Sequence, residues 1–580
     1  MILFVKKQWQ IEKQLRLIIK IIFAGMIIMS FFLGSMLLSV LRGHIYESIF
    51  WPQMTPFDLS FRVDGLSIIM AILTFVLWSI IFIYSIKYIK NNVIRYYTLL
   101  LLILGSVQDT IFAGDLVNFY IFLEITTIVT YFLITHNKDA VALKAGYKYL
   151  IMLLAGAFLI LLSILFAYSY MGNYKMSSII ACGYIIAPIL FLIGCFVKAG
   201  AIPLHVWLPD AHPAAPSPIS AFLSGIMIKV GAYGIIRVIS PNIRIEFPVV
   251  NIGNILSLII IVVAILSMFI GVFLALIQTD VKRLLAYHSI SQMGYILLGI
   301  GLGTKLGLAG GLYHIINHAI FKGLLFLGVG AVIFKTGSKK LVDLGGLWKK
   351  MPVTTIVCIV AALSISGIPP FNGFASKMIL GKAVAEFSII LKYMLTMASA
   401  FTFASFFKLI KCSFFGKIKE SLNSVQEAPL LMLIPMIVLS AFCIILGLQA
   451  NTVMNQLMPV AMNEPVHYQM SSNVVFWTEG LLVDTLFTIL LGFTVYFIAM
   501  KMGLIDKADK SSVQSIPLLK RESCLSIDSL YCYFAILTRN SFQKLNKIYS
   551  RDFNIHLSWI ALTIIILFII LLIFLKIPLN

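Results

Sequence analysis

Long apolar runs, each near the length of a bilayer crossing, recur along the whole of this 580-residue chain, separated by short polar stretches. A helix needs about 20 mainly apolar residues to cross a bilayer. On that measure the pattern predicts about fifteen transmembrane helices. They fall at residues 15–41, 64–86, 95–112, 115–135, 149–170, 179–211, 218–239, 250–278, 285–303, 307–334, 352–386, 388–412, 429–449, 480–500 and 556–577. The expected fold is an all-α polytopic membrane protein. Residues 1–57 hold one span and a loop, 58–450 form the membrane core, and 451–580 are an extension with two more spans. The first run follows basic residues but is long and lacks a small-residue cleavage site, so it reads as a retained span.

Two of the runs are interrupted by proline. One reads Phe196-Val-Lys198-Ala-Gly-Ala-Ile-Pro203-Leu-His-Val-Trp207-Leu-Pro209-Asp210, the other Ser364-Ile-Ser-Gly-Ile-Pro369-Pro370-Phe-Asn-Gly373-Phe-Ala-Ser-Lys377. Proline removes a backbone donor and crowds the preceding turn, so each run should be a discontinuous helix with freed carbonyls. Such backbone is tolerated at membrane depth only where protein or water satisfies it. The breaks fall in the sixth and eleventh predicted spans, as expected of two five-helix units of opposite orientation, each with one broken helix. A lysine stands beside each break.

Charge inside the apolar runs is the next signal. Glu124, Lys198, Lys229 and Lys377 all lie within predicted spans, where a charge costs about 2.5–3.5 kcal/mol even on lenient insertion scales. Glu124 can stay ionised beside a cation, and Lys198 is the partner the sequence offers. The pair reads either as a proton-handling site or as a static clamp between helices. Lys229 lies among small and apolar residues, too deep to snorkel, and so should face a wet interior. Lysine sheds its proton readily when desolvated, whereas arginine does not, which favours proton handling over fixed charge. His314, His318 and Lys322 recur every four residues and share one helical face. Histidine passes protons between two nitrogens near neutral pH, so this stripe reads as a relay or as satisfied core. The HxxxH spacing also suits a metal, but no carboxylate or cysteine lies nearby in sequence to complete a site. His288 stands near a span end. His205, Asp210 and His212 surround the first break and are candidates for an entrance.

Composition agrees with the pattern. The chain is 60% hydrophobic and 12% charged, against about a quarter charged in soluble proteins. Its net charge of +21 suggests nucleic acid only until the 44 Lys and Arg are placed on the spans. Most then fall on one side, which is the positive-inside bias, and put the N-terminus in the cytoplasm. No nucleic-acid partner is expected. The seven cysteines show no CxxC or Cys/His ligand spacing, and no phosphate-cradling or dinucleotide glycine motif appears. No cofactor is expected in this chain, nor a catalytic redox site.

Several segments together carry a family likeness. They are Phe61-Arg-Val-Asp-Gly65, Glu124 in its aromatic setting, and Val197-Lys-Ala-Gly-Ala-Ile-Pro-Leu-His-Val-Trp-Leu-Pro-Asp-Ala-His-Pro. Asp280-Val-Lys-Arg-Leu-Leu-Ala-Tyr-His-Ser-Ile-Ser-Gln-Met-Gly-Tyr295, His318-Ala-Ile-Phe-Lys-Gly-Leu-Leu-Phe326 and Pro369-Pro-Phe-Asn-Gly-Phe-Ala-Ser-Lys377 complete them. Over residues 58–450 the chain resembles the proton-conducting, antiporter-like subunits of Mrp-type sodium/proton antiporters, NADH:quinone oxidoreductase and membrane-bound hydrogenases. The resemblance implies two inverted five-helix repeats, each with a discontinuous helix. It implies Glu124 and Lys198 as an input pair, Lys229 as the central lysine, His314 and His318 as connecting histidines, and Lys377 as the terminal lysine. Charge at one pair would drive a proton to the next. His205, Asp210, His288 and Lys322 are accessory candidates.

The resemblance also implies a bacterial or archaeal cytoplasmic-membrane location, partner membrane subunits, and protons as cargo, with sodium as a second ion. A D-type subunit of a cation/proton antiporter is the leading reading. A pumping subunit of NADH:quinone oxidoreductase or a related redox complex is the alternative, and a scaffold with degenerate channels is a third. Family members commonly carry two helices before the Phe61–Gly65 stretch, where this chain has one convincing span. In the extension, Leu530, Phe534, Leu537, Leu545 and Ile548 fall near one helical face, which reads as an interfacial brace along neighbouring subunits or as a solvated linker.

Overall fold

Polar residues set the helix ends. Asp64 caps the helix Gly65–Tyr88, accepting from Ser67 N at 3.0 Å while its own N–H donates to Ser67 Oγ at 2.9 Å. Asp115, Asp139, Asp280 and Thr304 cap four further helices through their side chains, and Gly172 and Gly337 close two of them in the left-handed conformation. Each cap satisfies orphan N–H groups that the bilayer would leave bare. The sequence thus switches from apolar run to Asp or Thr where a helix begins.

The computed structural model describes residues 2–50, 59–240, 252–464, 476 and 478–503. Contacts divide the chain into Met1–Asp506 and Lys507–Asn580, and every described residue lies in the first unit. The expected span 556–577 and the amphipathic segment at 530–548 lie outside the described residues. The main elements are α1 (Ile2–Leu41), β1 (Tyr46–Phe50), β2 (Leu59–Val63), α2 (Gly65–Tyr88), α3 (Val93–Phe112), α4 (Leu116–Ile134) and α5 (Ala140–Met171). They continue with α6 (Ile186–Ala199), α7 (Leu208–Ala214), α8 (Ser217–Ile239), α9 (Ile252–Ile277), α10 (Val281–Gly301) and α11 (Lys305–Thr336). Last come α12 (Pro352–Ser366), α13 (Asn372–Phe387), α14 (Ile389–Phe414), α15 (Leu430–Leu448) and α16 (Glu479–Lys501).

Among the described residues, 10 helices are long and apolar enough to cross a membrane. The difference from the expected spans has physical causes. The two proline-bearing runs are broken into shorter helices, α6 with α7 and α12 with α13. Two others, α3 and α10, are unbroken helices made less apolar by buried polar residues such as Gln108, His288 and Gln292. The last lies outside the described residues. One element departs from all-α: β1 and β2 pair as an antiparallel hairpin with Tyr46 opposite Val63 and Phe50 opposite Leu59.

The bundle has an inside and a rim. The span windows of α8 and α11 are 94% and 78% buried, whereas those of α1 and α16 are 11% buried. The α11 helix packs against α2, α8, α10, α12, α13 and α15 and is the centre of the core. On α1, Ile27 and Phe31 stand exposed, as suits a face against lipid.

A buried clamp ties the hairpin to the bundle. Arg237 of α8 donates through both Nη atoms to the Asp64 carboxylate, at 2.6 and 3.0 Å, and Arg62 Nε adds a third bond at 3.0 Å. Asn463 accepts from Gly65 N at 2.9 Å and donates to Asp64 at 3.3 Å. Removing one partner of such a pair leaves a buried charge, a loss of about 3–5 kcal/mol. The clamp explains why Phe61-Arg-Val-Asp-Gly65 holds two charges beside an apolar run.

Candidate functional site

At the first break, α6 ends at Ala199, and Gly200 takes a φ of 65°. The chain then turns through residues 201–207 before α7 begins. Freed backbone groups find partners: Trp207 Nε1 donates to Val197 O at 3.0 Å, and Ile202 N donates to Ser267 Oγ at 3.0 Å. Lys198 sits in the last turn of α6, and its Nζ lies 3.0 Å from Glu124 Oε1 of α4. It also donates to Thr127 Oγ1, one turn along α4. The lysine side chain is 6% exposed and the glutamate 15%, so the pair is largely withdrawn from solvent. A small cavity lined by Thr126, Thr127, Tyr149, Lys198, Trp207 and Met227 separates this pair from α8.

Lys229 is fully buried on α8. The α8 helix comes close to α6 because Gly231 has no side chain: a Cβ there would lie 2.6 Å from Cys195 O. Lys229 Nζ donates to the carbonyl of Ser224, which belongs to a π-helical turn, Leu223–Met227. Such turns are frequent at functional sites.

The stripe on α11 lies in the interior, as its spacing suggested. The rings of His314 and His318 are nearly parallel, 6.2 Å apart, and both residues are buried. His314 joins two helices: its Nε2 is 3.0 Å from Gln292 Oε1 of α10 and its Nδ1 is 2.9 Å from Ser376 Oγ of α13. His318 has no hydrogen-bond partner among the described residues. Lys322 is fully buried and donates to Leu285 O at 2.6 Å.

At the second break, α12 ends at Ser366, and Gly367 takes a φ of 78°. Lys377 of α13 reaches back across the gap and donates to Ile365 O at 2.8 Å, with the Tyr295 ring centroid 4.9 Å from its Nζ. A Cβ on Gly367 would meet the Lys377 stem at 3.0 Å. Lys377 lines a cavity with Ser366, Lys382, Lys392, Ser399 and Asp484, the last from α16.

The remaining sequence candidates lie around this axis. His288 is buried, with Nε2 2.8 Å from Ser405 Oγ and its ring 4.4 Å from Phe406. His205 is buried in the first break, 6.4 Å from the Tyr287 ring. His212 stacks on Phe326 at 4.6 Å. Asp210 instead pairs with Lys148 at 2.8 Å and Arg283 at 2.9 Å near the surface, which ties α5, α7 and α10 together.

Several buried polar groups escape sequence reasoning. Lys282 lies between predicted spans and Lys408 near the end of the span 388–412, yet both are buried and donate to carbonyls: Lys282 to Ala215 O at 2.8 Å, Lys408 to Leu276 O at 2.7 Å. Ser224, Ser289, Gln292 and Ser376 escape it too. The one available signal is a dense polar run, Ser289-Ile-Ser-Gln292, inside a predicted span. Among the described residues no group of three or more His, Cys, Asp or Glu is placed to hold a metal.

A bundle of apolar helices, two of them broken, around a buried file of lysines and histidines defines a multi-pass membrane protein with a charged interior. Residues 113–402 match the family described as NADH:quinone oxidoreductase/Mrp antiporter, TM, and the chain belongs to that family. Residues 51–97 match the N-terminus of NADH-ubiquinone oxidoreductase (complex I) chain 5. The chain is 31% identical over 446 residues to hydrogenase-4 component B of Escherichia coli, covering 71% of this chain and 66% of that protein. It is 29% identical over 449 residues to the D-type subunit of the Na(+)/H(+) antiporter of Alkalihalophilus pseudofirmus, covering 75% of this chain and 89% of that one. Its fold superposes with a TM-score of 0.70 and 26% identity on a chain of the membrane-bound sulfane sulfur reductase, an archaeal respiratory membrane complex, covering 93% of both chains.

Proposed function

We propose that this chain is the proton-translocating subunit of a multisubunit monovalent cation (sodium)/proton antiporter. The observation that carries the reading is the Glu124–Lys198 pair, closed at 3.0 Å on a broken helix and followed inward by buried lysines. A proton loaded at that pair changes its charge, and the change is felt at Lys229 across the narrow α6–α8 contact. Lys229 passes its proton toward Lys322 and the His314–His318 stripe. His314, hydrogen-bonded to Ser376, leads to Lys377 at the second break, and the cavity beyond Lys377 is the exit. His205, His288 and the Asp210 ion pairs border this path as accessory groups.

Within this reading the two breaks belong to inverted five-helix repeats, residues 95–239 and 250–412, with the broken helix fourth in each. The N-terminus lies in the cytoplasm, in keeping with the basic residues beside α1 and in the predicted loops on the same side. The chain works without a cofactor of its own, and its neighbours are further membrane subunits.

A second reading keeps the relay and changes the driver: a pumping subunit of a redox complex. The likeness to hydrogenase-4 component B and to the sulfane sulfur reductase chain favours it. Purifying the intact complex and identifying its subunits decides between them. Small antiporter subunits support the first reading, and iron–sulfur or quinone-site subunits the second. The relay itself is tested by dye quenching in vesicles containing the complex. Normal transport in both Glu124→Gln and Lys377→Ala would exclude it.

A further inference from the structure

Lys229 and Lys322 stand on different helices, and among the described residues no hydrogen bond joins them directly. Between them a series of polar contacts runs through α8 and α10, linked at Ser224 through the residue itself. Lys229 Nζ donates to the Ser224 carbonyl. Ser224 Oγ lies 2.7 Å from Ser289 Oγ of α10. Ser289 Oγ donates to Leu285 O at 3.1 Å, and Lys322 Nζ donates to that same carbonyl at 2.6 Å. All four polar side chains are fully buried.

Local structure accounts for the geometry. A π-helical turn widens the helix, with hydrogen bonds spanning five residues in place of four. Lys229 stands five residues after Ser224 and reaches back onto that carbonyl. On α10, Ser289 bonds back to the carbonyl four residues earlier, a contact that loosens a helix slightly. A buried hydroxyl deprived of its partner costs about 1–3 kcal/mol, so Ser224 depends on Ser289, which itself also holds Leu285 O. Both lie within segments that otherwise read as apolar spans, where alanine would fill the space at no polar cost.

We propose that Ser224 and Ser289 are positioning residues for proton transfer between Lys229 and Lys322. The hydroxyl pair holds α8 against α10, and with them the two carbonyls that anchor the ammonium groups of Lys229 on α8 and Lys322 on α11. In the transfer, Lys229 Nζ gives up one proton and becomes a neutral amine. One proton arrives at the neutral amine of Lys322, which becomes an ammonium. The net charge of the two lysines is unchanged. This role rests on the relay reading above.

The test uses the intact complex in membrane vesicles, with Ser224→Ala, Ser289→Ala, the double variant, Ser289→Thr, Ser289→Val and Lys229→Ala measured side by side. Each alanine variant should assemble normally and lose proton-coupled transport about tenfold, the scale of a mispositioned reacting group. The double variant should be no worse than either single one, because either change opens the bridge. Ser289→Thr keeps a hydroxyl and should retain most of the rate, while Ser289→Val, matched in size to threonine, should behave like alanine. Equal rates for Thr and Val would mean that packing alone matters, and would overturn the proposal. Wild-type rates in both alanine variants with Lys229→Ala inactive would also overturn it and leave the relay standing. Full transport in Lys229→Ala would remove the relay and the serine role together.

Discussion

At the first break a lysine on the N-terminal half of the broken helix meets a carboxylate. At the second a lysine on the C-terminal half reaches back to a carbonyl and lies against an aromatic ring. Both breaks use the same backbone device, a left-handed glycine ending the first half-helix. What differs is the counter-group supplied by the neighbouring helix: Glu124 from α4, Tyr295 from α10. Charge at the first break is balanced within the pair and changes only when the pair gains or loses a proton. At the second, Lys377 forms no ion pair among the described residues, so its charge is balanced by dipoles and a ring face alone. Under the proposed relay, the paired site is where a proton loads and the unpaired one is where it leaves. Identical backbone breaks thus acquire different chemistry from one residue on an adjacent helix.

The largest effects should come from removing the charges that define the contrast. Glu124→Gln and Lys377→Ala should each lower proton-coupled transport by about 100-fold or more, with the complex assembled normally on a native gel. Quenching traces at the wild-type rate would show that the charges are structural. Next, Lys229→Arg should fail by about tenfold or more, since arginine holds its proton at any working pH. Retained activity would make Lys229 an electrostatic post and shift the transfer to its neighbours.

Tyr295→Glu sharpens the comparison by giving the second break a carboxylate like the first. It should pin the Lys377 charge and slow transport several-fold, and Tyr295→Gln, similar in size to Glu but neutral, should be less impaired. If the two variants transport equally, the missing acid is not what distinguishes the breaks. The smallest effect belongs to Tyr295→Leu, which removes only the ring face, worth about 0.5–2 kcal/mol. Transport should fall no more than a few-fold, and thermal unfolding of the detergent-purified complex should shift by a few degrees at most.

Several features are legible in the chain because they are local. Apolar length locates the helices, since the bilayer imposes one length on every crossing. Proline locates both breaks, since it cannot donate a backbone hydrogen bond. Four-residue spacing puts His314, His318 and Lys322 on one face. Asp64, Asp115 and Asp280 sit where helices start, a signal that apolar length alone does not use. The strand pair 46–50 and 59–63 escapes notice because each strand is only five residues long and forms no long apolar run.

By itself, then, the sequence determined a multi-pass helical membrane protein with two proline breaks, a lysine at each, and titratable groups inside apolar runs. These follow from the bilayer's demand for length and satisfied backbone, which acts on each segment alone. Only the tertiary structure decided which groups meet. Glu124 and Lys198 are far apart in the chain, as are Ser224 and Ser289, and Lys377 and Tyr295. Their partnership depends on how close two helices come, as Gly231 shows for α8 against α6, where a Cβ would strike Cys195 O. Burial of Lys282 and Lys408 was decided in the same way, because a carbonyl of a distant segment was in reach. No window along the chain carries that information, since it lies in the distance between helices rather than in any one of them.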